Sequence, residues 1–67
     1  MTPAVVNGAG WDGAPGTTVD QLVAERCPSP RGVAVARNGE VVPRSRWADT
    51  LVEPGDRIEI VTAAAGG

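Results

Sequence analysis

Glycine and proline interrupt this chain at short intervals, and that spacing limits what it can fold into. There are nine Gly and six Pro among 67 residues, close to double the usual share, and they separate apolar runs instead of gathering in one block. Gly opens positive φ and Pro fixes φ near −65°, so both punctuate short elements. A chain of this size buries only about 60% of the surface it exposes when unfolded. The expectation is one small domain with one thin core and no deep substrate cavity.

Val5-Val6 begins a short strand, and Asn7-Gly8 is a two-residue turn signal because both central positions of a type I′ turn need φ > 0. A second short strand around Ala9 to Asp12 completes that hairpin. Gly13-Ala14-Pro15-Gly16 breaks the chain before Thr18, which with Gln21 three residues later matches a capping box. In the helix that follows, Val19, Leu22, Val23 and Cys27 form one apolar stripe over two to three turns, and Pro28 ends it.

Val33-Ala34-Val35-Ala36-Arg37, Asn38-Gly39 and Glu40-Val41-Val42 make the strongest hairpin signal in the chain. After Pro43, the stretch Arg44 to Ala48 is expected to turn irregularly and drop Trp47 onto the core. Pro54-Gly55-Asp56 makes one more turn. The last strand, Arg57 to Thr62, alternates Ile58 and Ile60 on one face with Arg57, Glu59 and Val61 on the other. Hairpin, helix, hairpin and strand give an α+β layout with one helix over one face of a mixed sheet. The opposite face is then left open, either as a partner surface or simply solvated.

The side chains exclude most chemistry. With no His and one Cys, the chain cannot build a Cys/His zinc site, an iron–sulfur cluster, a disulfide framework or a His-based nucleophile. No metal site, no bound cofactor and no catalytic side chain are expected. The net charge of −2 is opposite to what phosphate neutralisation requires, so nucleic acid is not the expected partner. Met1 to Val6 carries no basic region and no apolar run approaches the roughly 20 residues that span a bilayer. A cytoplasmic protein without a membrane partner is expected, and the unpaired Cys27 agrees with a reducing compartment.

All six basic residues are Arg. Codon composition explains this, as does avoidance of side-chain amines by a chain whose carboxyl end becomes activated. Arg44, Arg46 and Arg57 face either solvent or acidic partner surfaces, and Trp11 and Trp47 are expected to pack, not to bind ligands.

One chemical handle remains, the main-chain end at Gly66-Gly67. Two residues without Cβ let an extended segment enter a narrow cleft and bring its carboxylate against a bound nucleotide. Chance supplies such a pair in roughly 0.5% of chains at an average Gly frequency near 7%. A carboxylate becomes a carrier once another protein converts it to an acyl-adenylate with ATP, after which a sulfur nucleophile can replace AMP and leave a thiocarboxylate on Gly67.

The run Val33-Ala34-Val35-Ala36-Arg37-Asn38-Gly39-Glu40-Val41-Val42-Pro43-Arg44-Ser45-Arg46-Trp47, then Pro54-Gly55-Asp56-Arg57-Ile58-Glu59-Ile60-Val61-Thr62, then Gly66-Gly67, resembles the ThiS family, the sulfur carriers of thiamine biosynthesis. Val6-Asn7-Gly8 and Thr18-Val19-Asp20-Gln21-Leu22 fit the same pattern. Trp11 departs from it, standing where a less bulky residue is expected.

The resemblance implies a ubiquitin-like β-grasp fold with the first and last strands parallel at the sheet centre. It implies a domain over residues 1–62 and a flexible tail over 63–67, with Ala65 and Gly66 giving access and Gly67 adenylated and carrying the sulfur. The chain would be a monomeric co-substrate, not an enzyme. Its implied partners are a ThiF-type adenylyltransferase that uses ATP, a persulfide sulfur donor and thiazole synthase. The alternatives are a carrier for molybdopterin or cysteine synthesis, or a β-grasp binding module with an inert tail.

Overall fold

The structure, a computed structural model, describes residues 2–27, 29 and 31–62. The chain runs β1 (Ala4–Val6), β2 (Ala9–Trp11), α1 (Val19–Arg26), β3 (Val33–Arg37), β4 (Glu40–Val42), a 3₁₀ helix (Arg44–Asp49) and β5 (Arg57–Thr62). The five strands form one sheet in the order β2-β1-β5-β3-β4. β1 and β5 pair in parallel at its centre, and every other pairing is antiparallel. This is the β-grasp layout that the resemblance implies.

Two Asn-Gly turns set the sheet. Asn7 and Gly8 have φ of 51° and 83°, and Asn38 and Gly39 have 53° and 86°, the left-handed pairs that a two-residue hairpin loop needs. Each turn fixes register at once, pairing Val6 with Ala9 and Arg37 with Glu40. The second strand stops at Trp11, one residue short of the expected Asp12. Trp11 lies over Gly13, where a Cβ would collide with the indole. The bulk that departs from the family pattern is thus housed by a glycine two residues on.

α1 starts where the capping box puts it. The Gln21 amide donates to Thr18 Oγ1 at 3.2 Å, and the Thr18 amide donates to Gln21 Oε1 at 3.0 Å, satisfying two donors that a helix start leaves open. Val19, Leu22 and Val23 are buried. The helix ends at Arg26 and Cys27 is already extended, with φ of −123°, as expected of a residue that precedes proline. Cys27 therefore packs against the core from outside the helix, half-buried, and Pro28 itself lies outside the described residues.

β2 and β3 run in the same direction, and α1 carries the chain between them over one face of the sheet. Beneath it lies the core of Ala4, Val6, Val19, Leu22, Val23, Val35, Trp47, Val52 and Ile58. Trp47 is the largest buried side chain, 2% exposed. The 3₁₀ helix delivers it there, and its indole Nε1–H donates to the Val42 carbonyl at 2.9 Å, so the polar edge is satisfied as the ring is buried. Among the described residues no helix is long and apolar enough to cross a membrane.

In so thin a core Trp47 carries a large share of the buried area. Trp47→Ala should cost about 3–5 kcal/mol, close to all that a single core of this size supplies. Urea titration followed by far-ultraviolet circular dichroism should find the variant largely unfolded without denaturant, and a midpoint near that of the wild type would contradict this placement.

Candidate functional site

Among the described residues β5 is the last strand, and it leads into residues 63–67, where the candidate site was expected. Ala65, Gly66 and Gly67, the residues singled out for the chemistry, lie outside the described residues. What the structure defines is the platform they extend from.

That platform opens on a buried carboxylate. Asp56, 6% exposed, immediately precedes β5 and accepts from three directions. The Glu53 amide donates to its Oδ2 at 2.9 Å and closes the Pro54-Gly55 turn. Arg37 Nε donates to the same oxygen at 2.8 Å, and Asn38 Nδ2 donates to Oδ1 at 3.0 Å. Asp56 thus joins the turn before β5 to the hairpin of β3 and β4. Its carbonyl also accepts from the Val5 amide at 2.8 Å, so β1 is tied to the same residue.

Burial pushes the Asp56 carboxyl up. The hydrogen bonds from Arg37, the Glu53 amide and Asn38, together with the Arg37 charge, outweigh it and hold the group below its ordinary 3.8. Its hydrogen bond with Asp56 in turn raises the Arg37 guanidinium against the opposing effect of burial, with the charges of Asp56 and Glu53 adding to the rise. The exposed Glu53 lies 3.3 Å from Arg37 Nη2. At neutral pH the cluster is an ionised, fully bonded pair.

The second feature is the sheet face that α1 leaves uncovered. β5 presents Arg57, Glu59 and Val61 there, in register with Val5, Ala36 and Ala34 of its neighbours, and Val41 stands opposite Ala36 on β4. Val41 is 76% exposed and Val61 62%. With Ala34 and Ala36 they line a shallow depression that also touches Arg57 and Glu59. The face is charged where β5 begins and apolar toward Thr62, the end from which the terminal segment continues.

Of the arginines considered from sequence, Arg57 lies on this face, whereas Arg44 and Arg46 are exposed on the 3₁₀ helix, Arg46 beside the edge strand β4. Trp47 is core and Trp11 is half-buried against it. Among the described residues no three acidic or thiol side chains come together in a way that could hold a metal ion. Sequence reasoning missed the Asp56 cluster, since a Pro-Gly-Asp turn signals only the turn and not the burial of its carboxylate.

The ThiS family profile matches residues 5–67. A thiazole synthase of Paramagnetospirillum magneticum is 41% identical over 63 residues, which are 94% of this chain, and the chain spans 19% of that protein's length. The sulfur carrier protein ThiS of Escherichia coli is 39% identical over 54 residues, covering 81% of this chain and 82% of that protein. Among solved structures, the crystal structure of a thiamine biosynthesis protein (ThiS) from Geobacter metallireducens superposes with a TM-score of 0.75 at 34% identity, covering 96% of this chain and 97% of that one. A solution structure of a thiamine biosynthesis protein from the same organism gives 0.78 at 33% identity, with 98% and 88% covered.

The Asp56 cluster has a pH signature. Because its folded pKa is depressed, its contribution is fully present above the ordinary 3.8 and is lost as pH falls through the lower folded value. Asp56→Asn should therefore cost about 2 kcal/mol at pH 7, by weakening charged hydrogen bonds and leaving Arg37 only the exposed Glu53 as an ion partner. The gap between wild type and variant should close as pH drops below the ordinary carboxylate range. Denaturant midpoints measured against pH check this, and a gap that stays constant into acid would count against the ionised pair.

Proposed function

The chain belongs to the ThiS family of sulfur carriers for thiamine biosynthesis, and on that premise we propose that it carries sulfur on the carboxylate of Gly67. The observation that bears most weight is that the family match runs through residue 67 and so includes the Gly66-Gly67 pair. The β-grasp domain is the handle by which enzymes hold it, and Ala65 and Gly66 give the terminal carboxylate access to a narrow active site.

In this reading a ThiF-type adenylyltransferase binds the chain and ATP, the Gly67 carboxylate attacks the α-phosphorus, and pyrophosphate leaves. The acyl-adenylate is the electrophile that the free carboxylate is not. The terminal sulfur of a persulfide displaces AMP, and a thiol then cleaves the S–S bond, taking the donor's sulfur into a disulfide and leaving a thiocarboxylate on Gly67. The chain is a co-substrate in these steps. It has no Lys, so no side-chain amine of its own competes for the activated carbonyl.

Thiazole synthase is the proposed sulfur acceptor. Support comes from the Paramagnetospirillum magneticum protein of that name, one stretch of which is similar to 94% of this chain. The uncovered face, apolar toward Thr62, is the proposed contact for both enzymes, because a partner seated there lies beside the point where the terminal segment begins. ATP and a persulfide pool are cytoplasmic reactants, and the reading places the chain in the cytoplasm.

Incubation with ATP, a persulfide source and the adenylating enzyme should shift the intact mass by the difference between one sulfur and one oxygen, located on the peptide that ends in Gly67. Deleting Gly67 should abolish the shift with the fold unchanged. An unmodified terminus, with the enzyme active on a control carrier, would refute the carrier reading. On the sheet face, Val61→Asp should leave the melting temperature nearly unchanged, since the side chain is 62% exposed, yet raise the KM for the carrier about tenfold. Unchanged kinetics would remove this face from the interface.

A further inference from the structure

β1 ends before β5 does. Its ladder against β5 uses alternate residues, the Val5 amide donating to the Asp56 carbonyl at 2.8 Å and the Asn7 amide to the Ile58 carbonyl at 2.9 Å. The next groups on that side belong to Ile60, but at Asn7 the left-handed backbone, φ 51°, turns β1 away into its hairpin. The Asn7 side chain takes the vacated place. Its Oδ1 accepts from the Ile60 amide at 2.8 Å and its Nδ2 donates to the Ile60 carbonyl at 3.2 Å. One carboxamide, with an acceptor and a donor side by side, reproduces the pairing of a further strand residue.

We propose that Asn7 is a positioning residue for the terminal segment: by pinning both backbone groups of Ile60 it fixes the direction in which the chain leaves the sheet toward Gly67. This rests on the carrier reading, in which Gly67 must enter an enzyme's active site. Ile60 is seven residues before Gly67, and on its other flank β5 is held by β3, with Val35 opposite Ile60 and Val33 opposite Thr62. With Asn7 in place the β1-side edge of β5 is fastened at Ile60, while β3 holds the opposite edge, Ala36 and Ala34 standing opposite the flanking Glu59 and Val61, and the base of the segment is anchored before any partner binds. An enzyme then has less chain to order on binding, and that saving is expressed in affinity.

The turn geometry allows a clean test. Asn7→Gly keeps the left-handed backbone, since Gly adopts positive φ without strain, and removes only the carboxamide. Asn7→Asp keeps the acceptor for the Ile60 amide and loses the donor to its carbonyl. Amide hydrogen exchange and steady-state adenylation should be measured on all three full-length proteins. In Asn7→Gly, exchange at Ile60 should accelerate at least about tenfold while the core amides of Val35 and Ile58 keep their protection. The KM for the carrier should rise about tenfold with kcat changed by less than about twofold. Asn7→Asp should fall between wild type and Asn7→Gly, and it supplies the same comparison if the glycine variant does not fold.

A purely structural role would instead lower protection throughout the sheet and leave the KM of the folded protein unchanged. That result, or wild-type exchange at Ile60 in Asn7→Gly, would overturn the proposal. Failure of the wild type itself to be adenylated would overturn the carrier reading and this inference with it. Adenylation of Asn7→Gly with a wild-type KM would overturn this inference alone.

Discussion

The Asp56 carboxylate and the strand it precedes hold the molecule together. Through Arg37, Asn38, the Glu53 amide and its own carbonyl, Asp56 joins β1, the β3–β4 hairpin and the turn before β5. A buried carboxylate is costly unless its lone pairs are used and its charge is matched. Here both conditions are met, and among the described residues no buried side-chain polar atom is left without a partner. The cost of burying the charge is offset by fixing three segments at one point, which a domain with so thin a core could not do by apolar contact alone.

From that point β5 runs through the centre of the sheet, parallel to β1 on one side and antiparallel to β3 on the other. Both Asn-Gly turns fasten it with their side chains. Asn38 accepts from the Arg57 amide at 2.9 Å where the strand begins, and Asn7 grips Ile60 further along. The same two residues thus shape the hairpins through their backbones and secure the last strand through their carboxamides. α1 and the core lie on one face of the sheet, and the other face is left uncovered.

Much of this was legible in the sequence. The Asn-Gly pairs placed both hairpins, Thr18 and Gln21 placed the start of α1, and the alternation of β5 assigned Ile58 inward and Val61 outward. Trp47 was expected on the core and is there. The parallel pairing of β1 with β5 came from family resemblance and not from any periodicity, because strands more than fifty residues apart leave no local mark of their pairing. Trp11 was a departure in the sequence. It is accommodated by Gly13, a contact that depends on how the chain turns after β2.

The sequence by itself determined the local elements and the range of chemistry. Positive φ at a turn, a capping box and a two-residue period are properties of neighbouring residues, and a chain without His or Lys and with one Cys has few reactive groups to offer. Tertiary structure decided which polar side chains matter. Asp56, Asn38 and Asn7 would each pass for an ordinary turn residue. Their roles arise from partners 18 to 53 residues away, brought within hydrogen-bonding distance only when the sheet closes around β5.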